Sequence, residues 1–379
     1  MTYYMLPKTN NNIILKIYEN SEIDTSLNNV SISYSLFNYC NVVYTQIEKI
    51  HEKNIDLNLF EKLYRFVNPY EYINSKVQGF KFSVSKLNAK SNLLYEFLEI
   101  INTFNIFDDY KIRNINSLHV GNDCKDTIDC IEMTRDQFNE DTHISFTDSS
   151  ECSNYIYSIA SQLNNYDLFF YDACESNSYD FVVKITQLLF ILLKCQNKNG
   201  TAIIKINNTF LKQTTDLLYY LSSIYEKVYI IKPNASNVLN EEKYIVCKGF
   251  ILNDNKYATY CLSCDNLQKY LLNLKIQKNL FSFLNNNIPY YFINKLEDIN
   301  VILGQQQLET FDQLFNLLNN KNYEEKLELI KKTHIQKATA WCEKYKIPFN
   351  KFSDKLNIFL PINKEQTNDF ENNVIINNK

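Results

Sequence analysis

Two side chains stand where an open sheet would do its chemistry. The run Asn165-Tyr-Asp-Leu-Phe-Phe-Tyr-Asp172 has the pattern of an apolar strand closing on a carboxylate. Open α/β sheets carry their functional groups at the carboxyl edge of their strands. After a long apolar segment, Asn199-Gly200 turns the chain into Thr-Ala-Ile-Ile-Lys-Ile, so Lys205 ends a second strand whose other residues are apolar. A buried, unpaired ammonium is costly, so Lys205 must face solvent, a cleft or a partner. Two further runs, Glu226–Pro233 and Asn240–Phe250, read as a terminal antiparallel pair, with Glu242 entering the second. Each residue also has an ordinary structural reading: Asp172 as a helix cap, Lys205 as a solvated edge residue, Glu242 as a surface charge. Cys261-Leu-Ser-Cys264 has metal or redox spacing, but there is no second such pair and only four histidines, at 51, 119, 143 and 334, so no zinc site is expected. His119 lies inside an apolar strand and reads as a satisfied core imidazole.

Positioning these groups requires a sheet. Short apolar runs at Ser117–Gly121, His143–Phe146, Asp167–Tyr171, Thr201–Ile206, Lys227–Ile231 and Tyr244–Phe250 alternate with helix-length segments. That rhythm predicts an α/β fold with a mostly parallel sheet covered on both faces. Ser91–Asn105 reads as one amphipathic helix, and Leu267–Leu284, Leu308–Leu318 and Tyr323–Lys344 read as a helical C-terminal region. The expected organisation is an N-terminal extension over 1–80, an α/β domain over 81–255, a mostly helical region over 256–362 and a disordered tail over 363–379.

Composition sets the limits. The chain has 379 residues, a formal net charge of −4 and five glycines, no two closer than 42 residues. That spacing excludes a P-loop, a G-x-G-x-x-G dinucleotide fingerprint and a G-x-S-x-G elbow. Ten scattered cysteines read as reduced cytoplasmic thiols, and the longest apolar run, Ile185–Leu193, is far too short to span a bilayer. The many tyrosines and Trp341 could stack on bases, but their spread along the chain reads as core and coding bias.

The segment from Tyr166 to Phe250 resembles the carboxyl half of the FtsJ-like methyltransferase family. The resemblance rests on Gly200-Thr-Ala-Ile-Ile-Lys205, the Lys-Pro-x-x-Ser of Lys232–Ser236, and Glu242-Lys-Tyr-Ile-Val-Cys-Lys-Gly-Phe250. Gln336–Pro348 is similar to the form of the family found in large DNA viruses and mRNA cap methyltransferases. The resemblance implies a Rossmann-like sheet with an antiparallel terminal strand, S-adenosylmethionine as cofactor, and methylation of an RNA ribose 2′-hydroxyl, favouring the mRNA cap. It also implies RNA and capping or transcription proteins as partners, no membrane, and a place in the cytoplasm or a virion. The family works with a Lys-Asp-Lys-Glu tetrad, of which Asp172, Lys205 and Glu242 match three members. In that role an ammonium favours the ionised hydroxyl, while carboxylates orient the ammonium and tune its pKa.

Two positions depart from the family pattern. The helix that should carry the first tetrad lysine reads Asn92-Leu-Leu-Tyr-Glu96, which places Glu96 there, with Lys86 and Lys90 the nearest substitutes. The cofactor loop after the first strand keeps one glycine, Gly121, followed by Asn122 and Asp123, where the family has a glycine-rich turn. Asp148 is the candidate for the cofactor's ribose hydroxyls, and the 51 residues from Gly121 to Asp172 hold one βα unit easily and two with difficulty. Against the enzyme stands a second expectation, a subunit that has lost cofactor binding and serves as a scaffold or RNA-binding partner in a capping or transcription complex. Lys205→Ala is expected to abolish transfer at little cost in stability.

Overall fold

The computed structural model describes residues 2–9, 12–20, 30–52, 57–75, 83–87, 89–136, 138, 140–147, 165–174, 178–207, 209–251, 254–272, 279–284, 287–319 and 324–350. A segment that is apolar on both faces belongs in the middle of a sheet. Strand β5 (Tyr166–Asp172) shows this best, since every residue but Asp172 is buried. Around it lie β3 (Asn116–Val120), β4 (Thr142–Phe146), β6 (Gln196–Ile206), β7 (Tyr225–Lys232) and β8 (Lys243–Phe250), together with β1 (Thr2–Met5). They form one seven-stranded sheet in the order β1-β7-β8-β6-β5-β3-β4. The strands β4, β3, β5 and β6 run parallel, while β8, β7 and β1 are each antiparallel to their neighbours. All six sequence runs thus become strands, and the terminal antiparallel pair is β7 and β8. The exposed edge of β7 is taken by β1, from the chain's first residues, in the register Tyr3 opposite Ile231. A separate two-stranded ribbon joins β2 (Tyr18–Asn20) to β9 (Asn279–Ser282).

The helices are α1 (Tyr34–Glu52), α2 (Leu57–Phe66), α3 (Leu93–Phe104), α4 (Cys124–Thr134), α5 (Ser178–Cys195), α6 (Lys212–Ile224), α7 (Asp254–Leu272), α8 (Tyr290–Asn319) and α9 (Glu324–Lys344). None in the described residues is long and apolar enough to cross a membrane. Strand alternation splits the core in two. Leu168, Phe170, Ile203, Tyr244 and Val246 face α3, α4 and α9, whereas Phe169, Tyr171, Ala202, Ile204 and Ile245 face α5 and α6.

Two sequence expectations change here. The helix at Ser91–Asn105 is not amphipathic in use: Leu93–Ile101 and Phe104 are all buried, because α3 is enclosed between the sheet and α9. The expected helix over Leu267–Leu284 ends at Leu272, and Asn279–Ser282 instead forms β9, since Tyr18–Asn20 offers it a backbone edge to pair with. The expected tail and Asp148 lie outside the described residues.

Candidate functional site

Parallel pairing in register brings the two strand-end residues together. Asp172 closes β5 directly beside Lys205 on β6, and Tyr244 of β8 lies directly across from Lys205. Because β8 runs the opposite way, the residue just before it, Glu242, lies at the same carboxyl edge. Its Oε2 is 3.1 Å from Lys205 Nζ. One Asp172 oxygen accepts the backbone N–H of Cys174 at 2.9 Å, which orients the carboxylate at the end of the strand. The three residues expected from sequence therefore form one cluster.

The position expected to hold a lysine is occupied by a carboxylate that joins this cluster. Glu96 is buried on α3, and the Tyr244 hydroxyl donates a hydrogen bond to its Oε2. Burial drives the Glu96 carboxyl pKa up, against the pull of the Lys205 charge and the Tyr244 hydrogen bond. Lys86 and Lys90 stand exposed ahead of the helix. Lys205 itself has a side chain only 14 % exposed. Burial opposes its charge, but Glu96, Glu242 and Asp172 outweigh burial and raise its pKa. It stays an ammonium at any physiological pH, fitted to stabilise negative charge developing on a nearby oxygen. This enclosure also corrects the expectation that Lys205→Ala would be neutral for stability, because truncation would leave three carboxylates facing one another.

Sequence reasoning missed a second amine. Lys232 ends β7, and its Nζ donates to the carbonyl oxygens of Asn240 and Glu242, each at 2.7 Å. Burial and the Lys243 charge push its pKa down to about 7, against Glu96 and Glu242. The signal was available, since Lys232, like Lys205, follows a run of apolar residues at the end of its strand. The motif that follows it is structural. Ser236 Oγ donates to Pro233 O at 2.8 Å, and Glu99 Oε2 on α3 accepts both the Ala235 N–H and the Trp341 indole N–H at 3.1 Å. Trp341 is thus a core residue.

The loop after β3 borders the cluster. Gly121 has φ +132°, and a Cβ there would lie 2.4 Å from the Asp172 Cβ, so only glycine lets the loop come this close. Its shape is held without further glycines, since Gly121 N–H donates to Phe146 O at 2.9 Å and the buried Cys124 thiol donates to Gly121 O at 2.6 Å. Burial pushes the Cys124 thiol up to about 12, so it serves as a packing and hydrogen-bonding group. Asn122 and Asp123 are exposed, and Asp123 takes a left-handed conformation as it leads into α4. The chain leaves β3 for β4 on one side and returns to β5 on the other, so this loop lies at the switch point of the sheet. A glycine held against the carboxylate and an exposed Asp123 carboxylate suit a cationic, hydroxyl-bearing cofactor. His119, by contrast, is buried with both ring nitrogens bonded, to Ser117 Oγ at 2.8 Å and Thr127 Oγ1 at 2.7 Å, and burial lowers its pKa to about 3.

Comparison with known proteins agrees with this geometry. Residues 72–250 match the FtsJ-like methyltransferase family, a span that contains every member of the cluster. The chain is 30% identical over 133 residues to the uncharacterized protein R383 of Acanthamoeba polyphaga mimivirus, covering 35% of this chain and 34% of that protein. It is 35% identical over 72 residues to cap-specific mRNA (nucleoside-2′-O-)-methyltransferase 1 of Trypanosoma cruzi, covering 19% of this chain and 20% of that one. The protein of the same name from Dictyostelium discoideum is 29% identical over 136 residues, covering 35% and 16%. The chain therefore matches about a third or less of the length of these relatives.

Proposed function

From the match of residues 72–250 to the FtsJ-like methyltransferase family, we propose that this protein methylates a ribose 2′-hydroxyl of RNA, with the mRNA cap as substrate and S-adenosylmethionine as methyl donor. The observation that carries this reading is the Lys205 ammonium, held 3.1 Å from Glu242 and beside Asp172 at the carboxyl edge, next to the Gly121 loop. When bound, the cofactor supplies an electrophilic methyl group on a sulfonium. The chain's own residues do the rest. Gly121, Asn122 and Asp123 offer the backbone and carboxylate that would hold the cofactor beside Asp172. Lys205, kept charged by its three carboxylates, lowers the pKa of the acceptor hydroxyl and fixes its oxygen for in-line attack. Glu242 and Asp172 orient that ammonium. Lys232, the amine of the cluster poised near neutrality, takes up the hydroxyl proton.

One observation favours a second reading, a non-catalytic subunit of a capping or transcription complex: Glu96 stands where the family has a lysine. Calorimetric titration with S-adenosylmethionine and S-adenosylhomocysteine separates the two. Micromolar binding, followed by methyl transfer to capped RNA that Lys205→Ala loses, is the expected result. Absence of binding at millimolar ligand, with and without RNA, would overturn the enzyme reading in favour of the scaffold.

A further inference from the structure

A cleft of about 780 Å³ opens at the other, amino edge of the sheet, beyond the end of α3. Its aromatic part joins three elements that are distant in sequence. Tyr3 of β1, Tyr229 of β7 and Phe104 at the end of α3 pack with ring centroids 4.8 to 6.0 Å apart. Tyr3 is 50 % exposed, so this cluster presents ring surface to the cleft.

Beside the rings lies a group of cations. Lys227 and Lys248 are directly opposed across β7 and β8, on the sheet face that carries Tyr229. Like charges so placed repel, which an anion in the cleft would relieve. Lys248 is partly compensated by Phe104 O at 2.9 Å and Asp109 at 3.7 Å, and Arg113 is committed to Asp167 at 3.0 Å. Lys227 and Lys198 are exposed, and Glu226 is the other carboxylate on the lining. Cations outnumber carboxylates here four to two, in a chain whose net charge is −4.

We propose that this cleft is a second binding site, for single-stranded RNA, with phosphates on Lys198, Lys227 and Lys248 and a base stacked on Tyr3 and Tyr229. Exposed aromatic surface beside flexible cations is the combination that holds single strands without reading their sequence. The proposal deepens the RNA-methylation reading and rests on it for the identity of the polymer. Strand β8 links the two sites: Lys248 lies five positions along it from Lys243, next to Glu242, a distance of about 17 Å at the usual rise per residue. A strand of RNA gripped in the cleft would thus be tethered within reach of the carboxyl-edge cluster without touching it.

The test is fluorescence anisotropy of the full chain with a labelled, uncapped, unstructured RNA oligonucleotide across a salt series, alongside calorimetric binding of S-adenosylhomocysteine. Lys198→Glu/Lys227→Glu should weaken RNA binding about tenfold or more and reduce the slope of log Kd against log salt by about 1.4, the share of two phosphate contacts on a single strand. Tyr3→Ala should weaken binding about tenfold with the salt slope unchanged. Both variants should bind S-adenosylhomocysteine as the parent does. RNA affinity within about twofold of the parent in both variants would overturn the cleft while leaving the methylation reading intact. Parent protein that binds polyglutamate and not RNA would overturn it in favour of an acidic protein partner. Lysine-dependent RNA binding without any cofactor binding would uphold the cleft and sink the methylation reading.

Discussion

Lys205 holds the cluster together as much as it equips it for chemistry. With Glu96, Asp172 and Glu242 around one ammonium, Lys205→Ala should reduce methyl transfer by about a hundredfold or more and lower stability at neutral pH by about 2 kcal/mol or more. The sign of its pH dependence follows from linkage. Burial already holds the Glu96 carboxyl above its ordinary range, and without the ammonium it loses the charge that pulls it down, so the folded variant binds more protons than the unfolded chain and regains stability as pH falls from neutral. Urea midpoints at neutral and mildly acid pH check this, and a variant equally unstable at both would contradict it. Gly121→Ala tests the loop: positive φ and the clash with Asp172 should cost about 1 to 3 kcal/mol and weaken cofactor binding, read by melting and calorimetry. Lys232 gives a kinetic signature. The methylation rate should rise with pH through about 7, and Lys232→Met should remove that limb.

Between elements, the decisive contact is the seam of α3 with α9. Glu99 on α3 receives both the Trp341 N–H of α9 and the Ala235 N–H after β7, so one carboxylate ties the C-terminal helix to the turn that follows Lys232. Trp341→Phe keeps most of the apolar volume but deprives the buried Glu99 of a donor, and should destabilise by about 1 to 3 kcal/mol. Chemical denaturation measures that loss, and an unchanged midpoint would show that the seam does not depend on the indole. At this scale the strands were legible in sequence because each is a short apolar run bounded by turn residues, a signal that survives without tertiary context. The burial of α3 was not, because the outward side of a helix looks polar or apolar only relative to what covers it. Here α9, more than two hundred residues away in sequence, supplies the cover.

Stability of the whole molecule should vary with pH in a way set by its enclosed lysines. Lys232, at about 7, and Lys243, also lowered by burial, bind their protons less tightly in the folded chain than in the unfolded one. The unfolded state therefore carries more protons above pH 7, and stability should rise as pH increases toward about 8.5. Above that, thiols that burial keeps protonated, such as Cys124 and Cys247, begin to ionise in the unfolded chain and reverse the trend. Denaturation midpoints across pH 6.5 to 8.5 should show the rise, with a smaller slope in Lys232→Met. A flat profile in the parent would mean that these ammonium groups are better solvated than their surroundings imply.

What the sequence by itself determined were the features written locally: six strands, their alternation with helices, Asp172 and Lys205 at strand ends, and a single glycine in the loop after the first strand. Periodicity and end position are short-range properties, so they need no knowledge of the partner. Only the tertiary structure decided what those residues meet. It placed Glu96 and Tyr244 against Lys205, brought Lys232 onto the backbone of Glu242, and assembled Tyr3, Phe104 and Tyr229 beside the opposed lysines of β7 and β8. Charge and pKa depend on all neighbours at once, and those neighbours come from strand register and helix docking over distances in sequence that no local pattern records.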